Sequence, residues 1–322
     1  MAFRIAAPGI FPDINPNDYH RDPCPTPSLT QSIAKILLVQ SPAHAWVAHP
    51  RLNPEWEADE DKKFAIGNVA HSLLLGRGKA IAVGPFENWK TKDSQNFRKD
   101  CIAGGKVPVL TEQYERAVQM VRACRDQLAQ IVDDNDRPIL ADFDSPGASE
   151  LMLAWCEPGG FWFRQLVDRA PTHCQAIYDY KTTAMSAAPQ ALGVKMADQG
   201  WDIQGAMLER GFGALDPKNR GRRKYRFICQ ETDYPYAVTV AELTEASLTI
   251  GRKRLNQAVE LWRACLDTGT HREAWPGYGR RIQRPEYPDW MEKRWLAHEL
   301  EAEAAGGIVP FRIPQRDHLM GG

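Results

Sequence analysis

The spacing of apolar positions changes along this chain, and each change marks an element. The first 27 residues are rich in proline and aspartate and carry no clear period, which predicts an irregular arm. From Ser28 the period turns helical. Ile33, Ile36, Leu37 and Val39 fit a short helix that ends near Ser41-Pro42, because proline disfavours helical geometry in the residue before it. Ile66, Val69, Ala70, Leu73 and Leu74 follow the three-and-four spacing of a buried stripe, predicting a helix over 62–76. The same spacing returns over 111–131, with Thr111 as its N-cap.

Between 148 and 182 the period shortens to that of strands. Ser149–Glu157, Phe161–Arg169 and His173–Thr182 read as a meander, with a tight turn at Gly159-Gly160 and a break at Pro171-Thr172. Helices are expected over 186–197 and 199–212, then strands over 224–231 and 236–241. A long amphipathic helix over 244–267 carries Leu248, Leu255, Val259, Trp262 and Leu266 on one side, and a last helix lies near 287–304. Helices flanking a central mixed sheet predict an α/β fold with one main domain over 28–285. The arm precedes it, and a C-terminal helix and tail over 286–322 offer a surface for oligomer contact.

Composition narrows the picture a little. The chain has 322 residues, 43% of them apolar and 25% charged, as in ordinary globular proteins. No apolar run is long enough to span a bilayer, and Met1-Ala-Phe-Arg-Ile lacks the pattern of a secretory signal, so a cytoplasmic location is expected. Cys24, Cys101, Cys124, Cys156, Cys174, Cys229 and Cys265 are scattered without a CxxC pair, which argues against a disulfide framework or a tetrahedral zinc site. The net charge of −1 advertises no nucleic-acid partner, so any such surface must be local.

The sharpest chemical signal is Ile177-Tyr-Asp179-Tyr-Lys181-Thr182. Residues two apart on a strand share a face, so Asp179 and Lys181 point together. Alone, they could be an ordinary surface ion pair. Asp168 ends the neighbouring strand, and if the two strands are adjacent its carboxylate approaches that of Asp179. Two such carboxylates repel unless a cation is shared between them, and hard oxygen donors suit Mg²⁺ or Mn²⁺. Glu150, on the preceding strand, could add a third carboxylate. His71 lies at the edge of the apolar stripe of its helix, one turn after Gly67, where a histidine is more often a hydrogen-bonded boundary residue than a ligand.

Gly67-Asn-Val-Ala-His71, Glu150, Asp168, Asp179-Tyr-Lys181-Thr and Asp202-Ile-Gln204 together resemble the PD-(D/E)xK nuclease superfamily. Within it, the chain is most similar to the RecE-type exonuclease domain (exodeoxyribonuclease VIII) and its phage relatives. Ser41-Pro-Ala-His44 and Trp275-Pro-Gly-Tyr278 extend the resemblance over roughly residues 10–280. The resemblance implies that His71, Asp168, Asp179 and the backbone carbonyl of Tyr180 are metal ligands. It implies that Lys181 holds or activates the attacking water, that Gln204 positions the lysine or the DNA, and that Glu150 is the acid of the first motif. Leu208 stands where the family carries an aromatic residue, which leaves that role open.

By the same resemblance the chain is expected to be an Mg²⁺-dependent 5′→3′ exonuclease. It would resect double-stranded DNA ends for a RecT-like annealing protein and assemble as a toroidal homo-oligomer. Phosphate contacts are expected from Arg164, four residues before Asp168 on the same strand face, and from Arg222, Arg223 and Lys224 within the basic stretch 218–226. Two other readings remain. One is another nuclease of this fold, an endonuclease or a Cas4-like enzyme, although the cysteine spacing disfavours the iron–sulfur cluster of the latter. The other is a non-catalytic DNA-binding protein on the same fold.

Overall fold

The computed structural model of the protein describes residues 3–12, 14–57, 66–173 and 176–310. In chain order its elements are β1 (Gly9–Phe11), α1 (Pro16–His20), β2 (Ser28–Leu29), α2 (Gln31–Val39), α3 (Pro42–Ala48), α4 (Ile66–Leu75), β3 (Ile81–Gly84), α5 (Lys92–Ala103), β4 (Val107–Leu110) and α6 (Thr111–Leu128). There follow α7 (Leu140–Asp144), β5 (Gly147–Glu157), β6 (Phe161–Pro171), β7 (Ala176–Thr183), α8 (Pro189–Gln199), α9 (Trp201–Leu215), β8 (Lys224–Glu231), β9 (Val238–Glu242), α10 (Glu245–Thr268) and α11 (Asp289–Ala305). Contacts divide the chain into two compact units, Met1–Pro276 and Gly277–Gly322, where the sequence pattern drew the line at 285. The second unit holds α11, none of whose residues is buried.

The main sheet is seven-stranded and mixed, ordered β1-β5-β6-β7-β8-β9, with β2 pairing along the start of β6. β5 and β6 form a long antiparallel ladder, whereas β7 and β8 run parallel. A strand buried on both faces needs helices on both. Leu151, Leu153, Trp155, Phe163 and Ile177 face a core completed by α2, α9 and α10. Tyr178, Tyr180 and Ile228 face α4 and α6 on the other side. Trp155 and Trp262 are almost wholly buried in the first core, and each large side chain so placed contributes about 1.5–3 kcal/mol. This is the expected α/β arrangement of a mixed sheet between helices.

Local chemistry explains where the elements begin and end. Thr30 caps α2 by accepting from the Ile33 N–H, and Thr244 caps α10 by accepting from Ser247. Gly200 takes a left-handed φ of 73°, which ends α8 and starts α9 without an intervening loop. α9 and α10 cross tightly: a β-carbon on Gly251 would lie 2.1 Å from the Asp202 carbonyl oxygen. That crossing fixes the pitch of α9, and so the position of Gln204.

Three expectations are corrected. The N-terminal segment is not irregular: β1 pairs with β5, and Ile5, Ile14, Tyr19 and Cys24 bury against Met152, Ala154 and Trp162. Its polar residues hid the pattern because the segment buries single side chains rather than a stripe. Thr111 is the first residue of α6 rather than its cap; its hydroxyl donates to the Gly84 carbonyl, while the Leu110 N–H donates to the Gln113 side chain. The third strand of the meander starts at Ala176, with His173 in the turn before it. Residues 62–65 of the expected helix lie outside the described residues, and α4 is described from Ile66. Among the described residues, no helix is long and apolar enough to cross a membrane.

Candidate active site

β6 and β7 part almost as soon as they meet. Their ladder holds one pair, Arg169 with Tyr178, so the next residues out on the two strands are Asp168 and Asp179. With no further ladder, the Tyr180 N–H donates to the Asp168 carboxylate at 2.8 Å. Within a strand, a residue's N–H and C=O project to the same side. The Tyr180 carbonyl therefore turns to the same fork. On β5, Glu150 stands opposite Asp168, between the pairs Ser149–Arg169 and Leu151–Val167. It takes a φ of 55°, a left-handed conformation that costs a non-glycine residue roughly 1–3 kcal/mol and clusters at functional positions.

The remaining groups come from the two helical layers. α4 brings His71, whose Nε2 lies 3.1 Å from Asp168 Oδ2. It can do so because α4 packs against β7 at Gly67, where a β-carbon would stand 2.1 Å from Thr182 Oγ1. From the other layer, Gln204 of α9 donates to Asp179 Oδ1 at 2.5 Å. Lys181, two residues along β7, places its Nζ 2.5 Å from Asp179 Oδ2. Oδ2 is buried and has that ammonium as its counter-charge. Asp202, next to Gln204 in the motif, is bound by Arg254 of α10 through both carboxylate oxygens, at 2.9 and 2.8 Å. It anchors α9 rather than entering the site.

The electrostatics follow from burial and crowding. Burial opposes ionisation of Asp168, but His71, Lys181 and the Tyr180 N–H outweigh it and hold the carboxyl below its usual range. Asp179 goes the other way: burial and the neighbouring Asp168 push it up against the pull of Lys181 and Gln204. Burial, with Asp168 opposite, also raises Glu150. His71 and Lys181 are both raised; the aspartates overcome the burial that would discharge them. The cluster thus favours the charged forms of His71, Lys181 and Asp168 and the protonated forms of Asp179 and Glu150.

Other expected contacts lie elsewhere. Arg164 does not reach the site. It is buried, with Nη1 at 3.1 Å from Asp22 and 2.5 Å from Ser28 Oγ, and Nε at 3.1 Å from the Tyr19 carbonyl. The N-terminal segment, packed beside β6, captured it. Arg223 is buried too, its guanidinium 4.2 Å from the Phe212 ring centre and bonded to Asp216 at 2.5 Å. Lys224 is paired with Asp134 and, at 3.2 Å, with Glu242. Arg222 is exposed and lines a pocket of about 300 Å³ with Arg137, Asp133 and Asp134 at the start of β7 and β8. Trp201 stacks on Phe227 in the core. The Ser41 and Trp275 stretches meet each other instead: the Ala43 N–H donates to the Pro276 carbonyl at 3.0 Å. Leu208 is buried in the same core as Trp201.

Sequence reasoning missed Asn17, His20 and Lys79, which line a cleft beside Glu150 and Asp168. Nothing in their spacing marks them, because they come from the N-terminal segment and from the turn after α4.

No protein-family model matches the sequence, and no curated protein matches it. Among solved structures, the crystal structure of a protein named "Putative exonuclease" from Eubacterium rectale aligns over 81% of this chain and 91% of that one, with a TM-score of 0.50 and 12% identity. The two chains share a fold. At that identity the likeness concerns the fold alone. A second structure, SSO0001, aligns over 62% of this chain and 88% of that one at 13% identity, and its TM-score of 0.24 carries no argument.

Proposed function

We propose that this protein is a metal-dependent deoxyribonuclease. The observation that carries the reading is the fork of β6 and β7, which sets Asp168 and Asp179 side by side with His71, Lys181 and Gln204 around them. The fold shared with the protein named "Putative exonuclease" agrees with it. The donors suit a hard divalent ion: two carboxylates beside a backbone carbonyl. As they stand, each aspartate is turned to its own counter-charge, and among the described residues no three His, Cys, Asp or Glu side chains converge on one point. Asp168, Asp179, His71 and the Tyr180 carbonyl would hold the ion once those contacts open. A bound Mg²⁺ or Mn²⁺ would supply a water of lowered pKa and polarise the phosphate.

The chain's own groups divide the rest of the work. Lys181, held charged by the aspartates, places positive charge where the phosphoryl oxygens gain negative charge in the transition state. Gln204 holds Asp179 in one orientation through its amide. Burial and the nearby Asp168 favour the protonated form of Glu150. The finer reading is a 5′→3′ exonuclease that resects duplex ends for a RecT-like annealing partner, working as a ring of identical chains. The motif order His71, Glu150, Asp168, Asp179, Lys181, Gln204 supports it.

The test uses linear duplex with 5′-phosphates, covalently closed circular duplex, and Mg²⁺ or EDTA. Loss of the linear DNA alone, from its 5′ ends and abolished by EDTA and by Asp179→Ala, is the expected result. Nicking of closed circles would replace the exonuclease with an endonuclease. DNA binding without cleavage in any divalent metal would sink both.

A further inference from the structure

Two clefts meet at His71 and Asp168, and phosphate chemistry accounts for one of them. The first, of about 310 Å³, runs past Gly67, Tyr180, Lys181 and Thr182. Its polar lining suits a phosphodiester. The second, of about 320 Å³, leaves His71 and Asp168 in the direction of Glu150 and is walled by Val69, Ile81, Val107, Leu166 and Pro16. The apolar walls suit a flat heterocycle, and Lys79 at their margin suits a phosphate. Polar side chains, among them Asn17, His20, Ser72, Lys79 and Glu150, are set around these apolar walls.

We propose that the second cleft receives one nucleobase of the strand being cut, unstacked from its neighbours. The inference rests on the nuclease reading and adds to it which part of the DNA the site grips. A strand whose phosphate lies against His71 and Asp168 continues into both clefts, since both residues line both. A volume near 320 Å³ lies at the lower end of small-molecule sites, roughly 300–1,000 Å³, and is large enough for one base. Lys79 serves the adjoining backbone phosphate. Drawing a base out of a duplex costs stacking and pairing energy, least where the base is already unpaired. The cleft therefore favours a frayed or single-stranded end over the interior of a duplex.

The test places 2-aminopurine at successive positions along one strand of a duplex end, bound in Ca²⁺ without Mg²⁺ or Mn²⁺. Fluorescence should rise several-fold at a single position. An abasic residue there should lower kcat/KM in Mg²⁺ by about tenfold, the scale of one lost base contact. Ser72→Phe fills the cleft from α4 and should erase both the fluorescence rise and the discrimination. Val107→Phe fills it from β4 and serves the same purpose should the first variant fold poorly. Uniform fluorescence at every position, an abasic strand cut as fast as the intact one, or no DNA binding overturns the proposal. Bis(p-nitrophenyl) phosphate, which has no base, reports the nuclease reading separately. Failure to hydrolyse it or DNA in any divalent ion, with position-specific unstacking intact, removes the nuclease reading and leaves the base-binding cleft.

Discussion

Two clusters of buried charge stand four residues apart on β6, and they are finished differently. Around Arg164, the fully buried Asp22 receives the Ser28 N–H and hydroxyl, both at 2.8 Å, and the Cys24 N–H at 3.2 Å, and pairs with Arg164 at 3.1 Å. His49 completes that cluster, 3.4 Å from Asp22, and burial pushes its pKa down to about 4. Around Asp168 the complement is left incomplete. Asp179 leans on a Lys181 side chain that is 32% exposed, Glu150 stands opposite Asp168, and the His71 side chain is 26% exposed to a cleft. A closed network of charges holds a segment in place. An open one, with carboxylates crowding each other, keeps free energy available for a ligand.

The largest expected effect separates the two clusters directly. Asp22→Ala leaves Arg164 and His49 buried without their carboxylate and should destabilise the fold by about 3–5 kcal/mol. Asp179→Ala relieves the repulsion with Asp168 but leaves Lys181 without its nearest carboxylate, so in urea melts it should cost much less than Asp22→Ala, while DNA cleavage disappears. Equal destabilisation by both would erase the distinction.

Next is acidity. His49 titrates near 4 in the fold against an ordinary 6.5, so the unfolded chain takes up the proton first. Stability from this group is complete above about pH 6.5 and drains away as pH falls towards 4, by at most about 3 kcal/mol. His49→Gln should flatten that part of the pH–stability curve; an unchanged curve would remove His49 from the account.

Lys181→Ala should cut turnover by about 100-fold while calorimetry still detects the divalent ion, because the lysine acts on charge that develops in the transition state. Loss of ion binding instead would make Lys181 a structural member of the open cluster. The smallest effect concerns how the open cluster is assembled. Gly67→Ala drives a methyl into Thr182 and should cost about 1–3 kcal/mol, with a fall in activity as His71 is displaced. Thr182→Ala in the same chain should restore most of the loss, and its failure to do so would place the strain elsewhere.

How much of this was legible depended on how local each signal was. The alternation Ile177, Asp179, Lys181 assigned the acid and the amine to one face, and the ion pair bears that out. The expected adjacency of the second and third meander strands is present, with Asp168 and Asp179 at consecutive outward positions. Arg164 obeyed the same alternation but went to Asp22, because a long side chain follows whichever partner the tertiary contacts supply. Arg223 and Lys224 read as a basic patch only while Phe212, Asp216, Asp134 and Glu242 were not known to be beside them.

Periodicity in the chain alone determined a mixed sheet between helices and the shared strand face of Asp179 and Lys181, since both depend on neighbours a few positions apart. Tertiary structure decided which charges were sealed and which were left open. It decided this through contacts that no local pattern encodes: Asp22 reaching across to β6, Gly67 meeting Thr182, and β6 parting from β7 after a single pair. Burial removes water from all these groups alike. Whether a buried charge then serves structure or chemistry depends on how many partners the rest of the fold brings to it.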